Sequence, residues 1–107
     1  MRVAVNIWEA VFKRDSGRCR YCGLDLLQSY STFTSATVDH LVAKSVGGLN
    51  DVSNLVLACP GCNQMLSRSG RLTTFEERKE YVLTRQRDHA GWYQNMLGQL
   101  RNGDADT

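Results

Sequence analysis

A chain of 107 residues with 42% hydrophobic and 22% charged residues suits one small domain whose modest core would benefit from an internal cross-link. It has no apolar run able to span a bilayer, and its start, MRVAVNIWEAVFKRD, turns charged too early for a secretory signal. These features argue against a membrane partner and for a reducing, cytoplasmic compartment, while a net charge of +2 is too small to identify a nucleic-acid binder by itself.

In chain order, NIWEAVFKRDSG predicts a short helix. Asn6 is its expected cap, Glu9 stands at the capping-box position, Ile7/Val11 and Trp8/Phe12 are spaced four apart, and Gly17 supplies a stop. Lys13, Arg14, Arg18 and Arg20 cluster beside the first cysteines, either as a solvated helix end or as a phosphate-facing patch. The β-branched run from Ser31 to Val42 reads as a strand, and NLVLAC from Asn54 as a second one. KSVGGLNDVS between them has the chemistry of an excursion loop, with Asn50 as a turn residue. Helix resumes over residues 60–69 and is closed by Gly70. Thr74 with Glu77 opens a last helical stretch, one helix or two divided near Gly91, with Phe75, Val82, Tyr93, Leu97 and Leu100 on its buried side. Trp8 and Trp92 read as packing residues, and His89 as an exposed helix residue. The expected division is a core over residues 1–72, a helical extension of the same domain over 73–101, and a disordered tail over 102–107.

The most specific pattern is Cys19-x-x-Cys22 with Cys59-x-x-Cys62. Each pair can form a tight knuckle, and two knuckles supply the four thiolates of a tetrahedral structural Zn²⁺ site. A dithiol redox role for CPGC leaves CRYC unexplained and lacks a βαβ context. A zinc deaminase is excluded because Leu41 and Val42, not an x-Glu pair, follow His40 and because Ala58 precedes Cys59. A zinc ion holding four thiolates is coordinatively closed, so any hydrolytic chemistry needs a second site. The 36 residues between the knuckles exceed the roughly 15–20 of a plain zinc ribbon, and this excess carries Asp39, His40 and Asn54, with Asn63 just beyond it.

CRYCG, then VDHLVAKSVGG, then NLVLACPGCN resembles the HNH nucleases, the ββα-metal or His-Me finger family, over roughly Cys19 to Asn63. The resemblance implies an α+β, treble-clef-like ββα-metal module flanked by helices, acting as a metal-dependent endonuclease. It aligns the Asp-His pair with Asp39 and His40, the middle asparagine with Asn54, and the last signature position with Asn63, where a histidine often stands. His40 is then the general base, since an imidazole can accept a proton near neutral pH. Asp39 and Asn63 are hard oxygen ligands for a catalytic Mg²⁺ or another divalent ion such as Mn²⁺. Asn54 ties the loop to the strand and orients the imidazole. Lys44 and Arg68 are the candidate substrate contacts. Adjacent strand residues face opposite ways, so Asp39 and His40 can share a phosphate only if the strand ends, twists or bulges there. The implied partner is DNA, double-stranded in the first instance with RNA as a second candidate, nicked or cut to leave a 5′-phosphate. A protein partner or homodimer is expected to add specificity that so small a surface lacks. The competing readings are a noncatalytic zinc module that binds nucleic acid and a zinc-stabilised protein-interaction domain.

Overall fold

The computed structural model describes residues 4–101, so the expected disordered tail, 102–107, lies outside the described residues. The order is α1 (Val5–Arg14), α2 (Tyr30–Ser35), β1 (Thr37–His40), β2 (Leu55–Ala58), α3 (Pro60–Ser67) and α4 (Phe75–Arg101). The architecture is therefore α+β, with β1, β2 and α3 forming a ββα unit.

In α1 the predicted spacing holds: Val11 is fully buried, Ile7 packs against the core, and the rings of Trp8 and Phe12 stack at 4.8 Å. Its start differs from expectation. Ala4 is the N-cap, and the Trp8 amide donates to the Ala4 carbonyl at 2.9 Å, so the first helical ring closes before Asn6, which lies inside the helix. At the other end Ser16, not Gly17 alone, adopts a left-handed conformation (φ 56°), with Ser16 N donating to Lys13 O and Gly17 N to Phe12 O. These two bonds satisfy carbonyls that the helix end would leave bare.

Asp15, its side chain 1% exposed, sits where α1 meets β2. It accepts from Arg14 Nε at 2.8 Å, Arg20 Nη1 at 2.8 Å and the Leu57 amide at 2.9 Å. Arg14 in turn donates to the carbonyls of Val52 and Leu55. The reading of this basic cluster as a phosphate patch is corrected accordingly: Arg14 and Arg20 are engaged by a buried acid, and Arg18 donates to the Gly23 carbonyl. Burial pushes the Asp15 carboxyl up, but bonds from Arg14, the Leu57 amide and Arg20 outweigh it and hold it below the usual carboxylate range. Asp15→Ala is expected to cost about 3 kcal/mol in urea unfolding at neutral pH, because two guanidinium groups and an amide lose their acceptor. A lowered folded-state pKa gives stability that is present above the unfolded value and lost as pH falls through the folded one. The gap between parent and variant should therefore shrink in acid; a gap that grew would refute the assignment.

The expected strand from Ser31 is the largest departure. Residues 30–35 are helical because Ser29 and Thr32 form a reciprocal capping box, which overrides the β-propensity of the threonines. Phe33 is thereby turned onto Trp8 and Phe12, with ring centroids at 6.0 and 5.4 Å. β1 keeps only four residues and ends at His40, the strand end expected at this point. It pairs antiparallel with β2 in the register Thr37↔Ala58, Val38↔Leu57, Asp39↔Val56, His40↔Leu55. All four residues of β2 are buried, so this strand forms the middle of the core.

Residues 41–54 make the excursion, with short 3₁₀ turns at Lys44–Val46 and Val52–Asn54. Glycine is required at both positions of the pair within it: Gly47 has φ 98°, and a Cβ on Gly48 would lie 1.7 Å from the Val42 carbonyl oxygen. α3 then begins with Pro60 in its first turn and the Cys59 sulfur accepting from the Cys62 amide. Beyond it, Thr74 and Glu77 exchange the predicted capping bonds, and α4 runs unbroken through Gly91. Val82 is fully buried, yet Tyr93 and Leu100 are 56% and 66% exposed, and Trp92 is 67% exposed. Their predicted burial fails because a helix of 27 residues, about 40 Å long, outruns the core it packs on.

Candidate active site and metal centre

The four cysteine sulfurs lie within 4.8 Å of one another. The first knuckle is shaped by backbone bonds, Gly23 N to Cys19 O at 2.9 Å and Cys19 N to Leu24 O at 3.0 Å, and fastened to β2 by Arg20 N donating to Leu57 O. The second knuckle is the start of α3. Cys19, Cys59 and Cys62 are buried and Cys22 is half-buried, with no disulfide among them. The four thiols act on one another: neighbouring sulfurs hold the Cys19 and Cys22 thiols down and push those of Cys59 and Cys62 up. Four soft donors closing on one point fit a structural zinc ion. Among the described residues, no other group of three or more His, Cys, Asp or Glu side chains is gathered this way.

On the other side of the ββα unit lies an open cavity of about 1010 Å³. Asp39 and His40 from β1 and Asn63 from α3 all line it. Asp39 Oδ2 accepts from Tyr21 OH at 2.5 Å and from Arg78 Nη2 at 2.7 Å, while Oδ1 has no hydrogen-bond partner among the described residues. Asn63 Nδ2 donates to Thr37 Oγ1 at 3.3 Å, leaving the amide oxygen free of any such bond. Thr37 and Asp39 share one face of β1, so Asn63, bonded to Thr37, packs on the same side of the sheet as Asp39. His40 Nε2 is 2.7 Å from Asn50 Oδ1. With the proton on Nε2 the ring donates to this amide oxygen, and in that tautomer the Nδ1 lone pair is available.

Asn54 does part of what was expected. Its Oδ1 accepts from the Val42 amide at 2.9 Å, and its Nδ2 donates to the carbonyls of Val42 and Leu49, both at 3.0 Å, so it ties the loop to the end of β1. It does not orient the imidazole. Asn50, read as a turn residue, holds that position. Of the two expected substrate contacts, Lys44 lines the cavity and Arg68 does not; Arg71 does instead, because the helix stops at Ser67 and the following turn swings the chain round.

Tyr21 and Arg78 had no signal in the sequence. Tyr21 sits between the two cysteines of the first knuckle, 1% exposed, with its ring stacked on Phe75 at 5.6 Å. Burial, with the neighbouring Asp39 charge, pushes its hydroxyl well up and keeps it a neutral donor. Arg78 comes from the first turns of α4. Burial lowers its pKa, but the bonds and charges of Tyr21 and Asp39 more than compensate, so it stays a cation.

Residues 19–69, from the first knuckle to the end of α3, match the family model described as HNH endonuclease. The chain matches no curated protein.

Proposed function

We propose, from the match of residues 19–69 to the HNH endonuclease family, that the chain is a metal-dependent nuclease hydrolysing DNA phosphodiester bonds. The observation that carries this reading is the shared cavity: His40, Asp39 and Asn63 line one space large enough for a phosphodiester, and among the described residues His40 Nδ1, Asp39 Oδ1 and the Asn63 amide oxygen have no hydrogen-bond partner.

His40 Nδ1 takes a proton from the attacking water as its oxygen bonds to phosphorus; the P–O3′ bond breaks, the departing 3′-oxygen takes a proton from solvent water, and His40 later returns its proton to solvent, leaving a 5′-phosphate and a 3′-hydroxyl. Asn50 holds the ring in the tautomer that leaves Nδ1 basic. Asn54 keeps the loop folded back on β1, so that Asn50 stays beside the ring. Lys44 and Arg71 offer cationic contacts for the flanking phosphates. Asp39 Oδ1 and the Asn63 oxygen suit a hard divalent ion such as Mg²⁺ or Mn²⁺, which when bound would screen the charge that builds on the phosphate oxygens. The cysteine cluster, holding zinc, acts only as a clip between the first knuckle and α3.

The preferred substrate is duplex DNA, cut one strand at a time, since one chain offers one imidazole in one cavity. Incubation of supercoiled plasmid with Mg²⁺ or Mn²⁺ should yield the open circular form, and chelation should stop it. Salt-sensitive DNA binding without cleavage under any divalent ion would replace this reading by a noncatalytic zinc module.

A further inference from the structure

Asp39 is the one carboxylate that lines the cavity among the described residues, and its charge is not free. Arg78 Nη2 lies 2.7 Å from Oδ2, with the two side chains 10% and 12% exposed. Lys44 and Arg71 line the same cavity, which therefore carries three formal cations, Lys44, Arg71 and Arg78, against one anion when His40 is neutral. A divalent cation entering this cavity alone meets net positive charge and finds only two protein oxygens, of the right hardness but too few to fill its coordination shell. A phosphodiester supplies the missing negative charge and further oxygen ligands.

Resting on the nuclease reading of this cavity, we infer that Arg78 is a positioning residue that fixes and neutralises Asp39, so that the catalytic cation binds firmly only together with the phosphodiester. Arg78 spends three of its five N–H groups inside the protein: Nε donates to Tyr21 OH at 3.0 Å, Nη1 to the Leu72 carbonyl at 2.8 Å and Nη2 to Asp39, which fixes its guanidinium in place. Tyr21 and Arg78 both bond the same carboxylate oxygen, Oδ2, and leave Oδ1 without a hydrogen-bond partner among the described residues. This control comes from α4, beyond the segment that matches the nuclease family.

The test is Mn²⁺ titration followed by electron paramagnetic resonance of the free ion, on protein whose cysteine site is filled with zinc. The His40→Ala background keeps a short DNA duplex intact during the measurement. The duplex should tighten Mn²⁺ binding by about tenfold or more. Arg78→Gln in the same background should bind Mn²⁺ about tenfold more tightly without DNA and show a smaller gain on adding it. Arg78→Lys keeps the charge but not the fork, so it should bind free Mn²⁺ as weakly as Arg78 does, and cleavage should fall when His40 is restored. A purely structural role predicts the opposite for Arg78→Gln, namely weaker Mn²⁺ binding. Equal Mn²⁺ affinity with and without duplex, or no gain in Arg78→Gln, overturns the inference. If Arg78→Gln fails to retain zinc, the comparison with and without duplex in the Arg78 protein decides alone. Duplex-dependent Mn²⁺ binding in a protein that cuts no plasmid would keep the role of Arg78 and remove the nuclease reading.

Discussion

His40→Ala is expected to slow plasmid nicking by about 10³-fold while leaving zinc content and thermal unfolding nearly unchanged. The side chain is half-buried at the last residue of β1, its backbone is already secured opposite Leu55, and its hydrogen bond is to Asn50. Removing the ring therefore takes away a proton acceptor without opening the core. Asn50→Ala should fall between parent and His40→Ala, at about tenfold, because the ring remains but neither tautomer is favoured. Single-turnover nicking rates, read beside melting curves, separate these cases. Equal nicking by parent and His40→Ala would mean that the activity belongs to another group or another protein.

Cys62→Ala is expected to prevent folding altogether. Cys62 is fully buried, and its partners on the first knuckle are some 40 residues away in sequence, so a shared ion closes most of the module. A structural zinc site of this kind contributes on the order of 10 kcal/mol, comparable with the whole stability of a small domain. Zinc per chain should fall from one to near zero, and the cooperative thermal transition should vanish. Prolonged chelation of the parent should do the same. A variant that melts at the parent's temperature would show that hydrophobic burial suffices and that the cluster is incidental.

The parts of this molecule legible in its sequence are those where chemistry imposes a short spacing. Two residues between thiols make a knuckle, and Asp39 beside His40, followed by a glycine pair, marks a strand end and a turn. What stayed hidden depends on contacts made at a distance. Asn50 reaches His40 across a ten-residue loop path, and Arg78 reaches Asp39 across 39 positions, neither with any periodicity to betray it. Charge misled for the same reason: Arg14 and Arg20 look available for a partner until Asp15 is seen between them. Local signals also compete. In residues 30–35 a capping box outweighed a β-branched run, and at Tyr93 and Leu100 a sound helical period continued after the surface it would cover had ended.

Cys62 and Asn63 are neighbours in α3, about 100° apart around its axis. One turn of helix thus points a sulfur at the clip and an amide at the groove. A substitution that rolled that turn would move both side chains at once, because one stretch of backbone carries them.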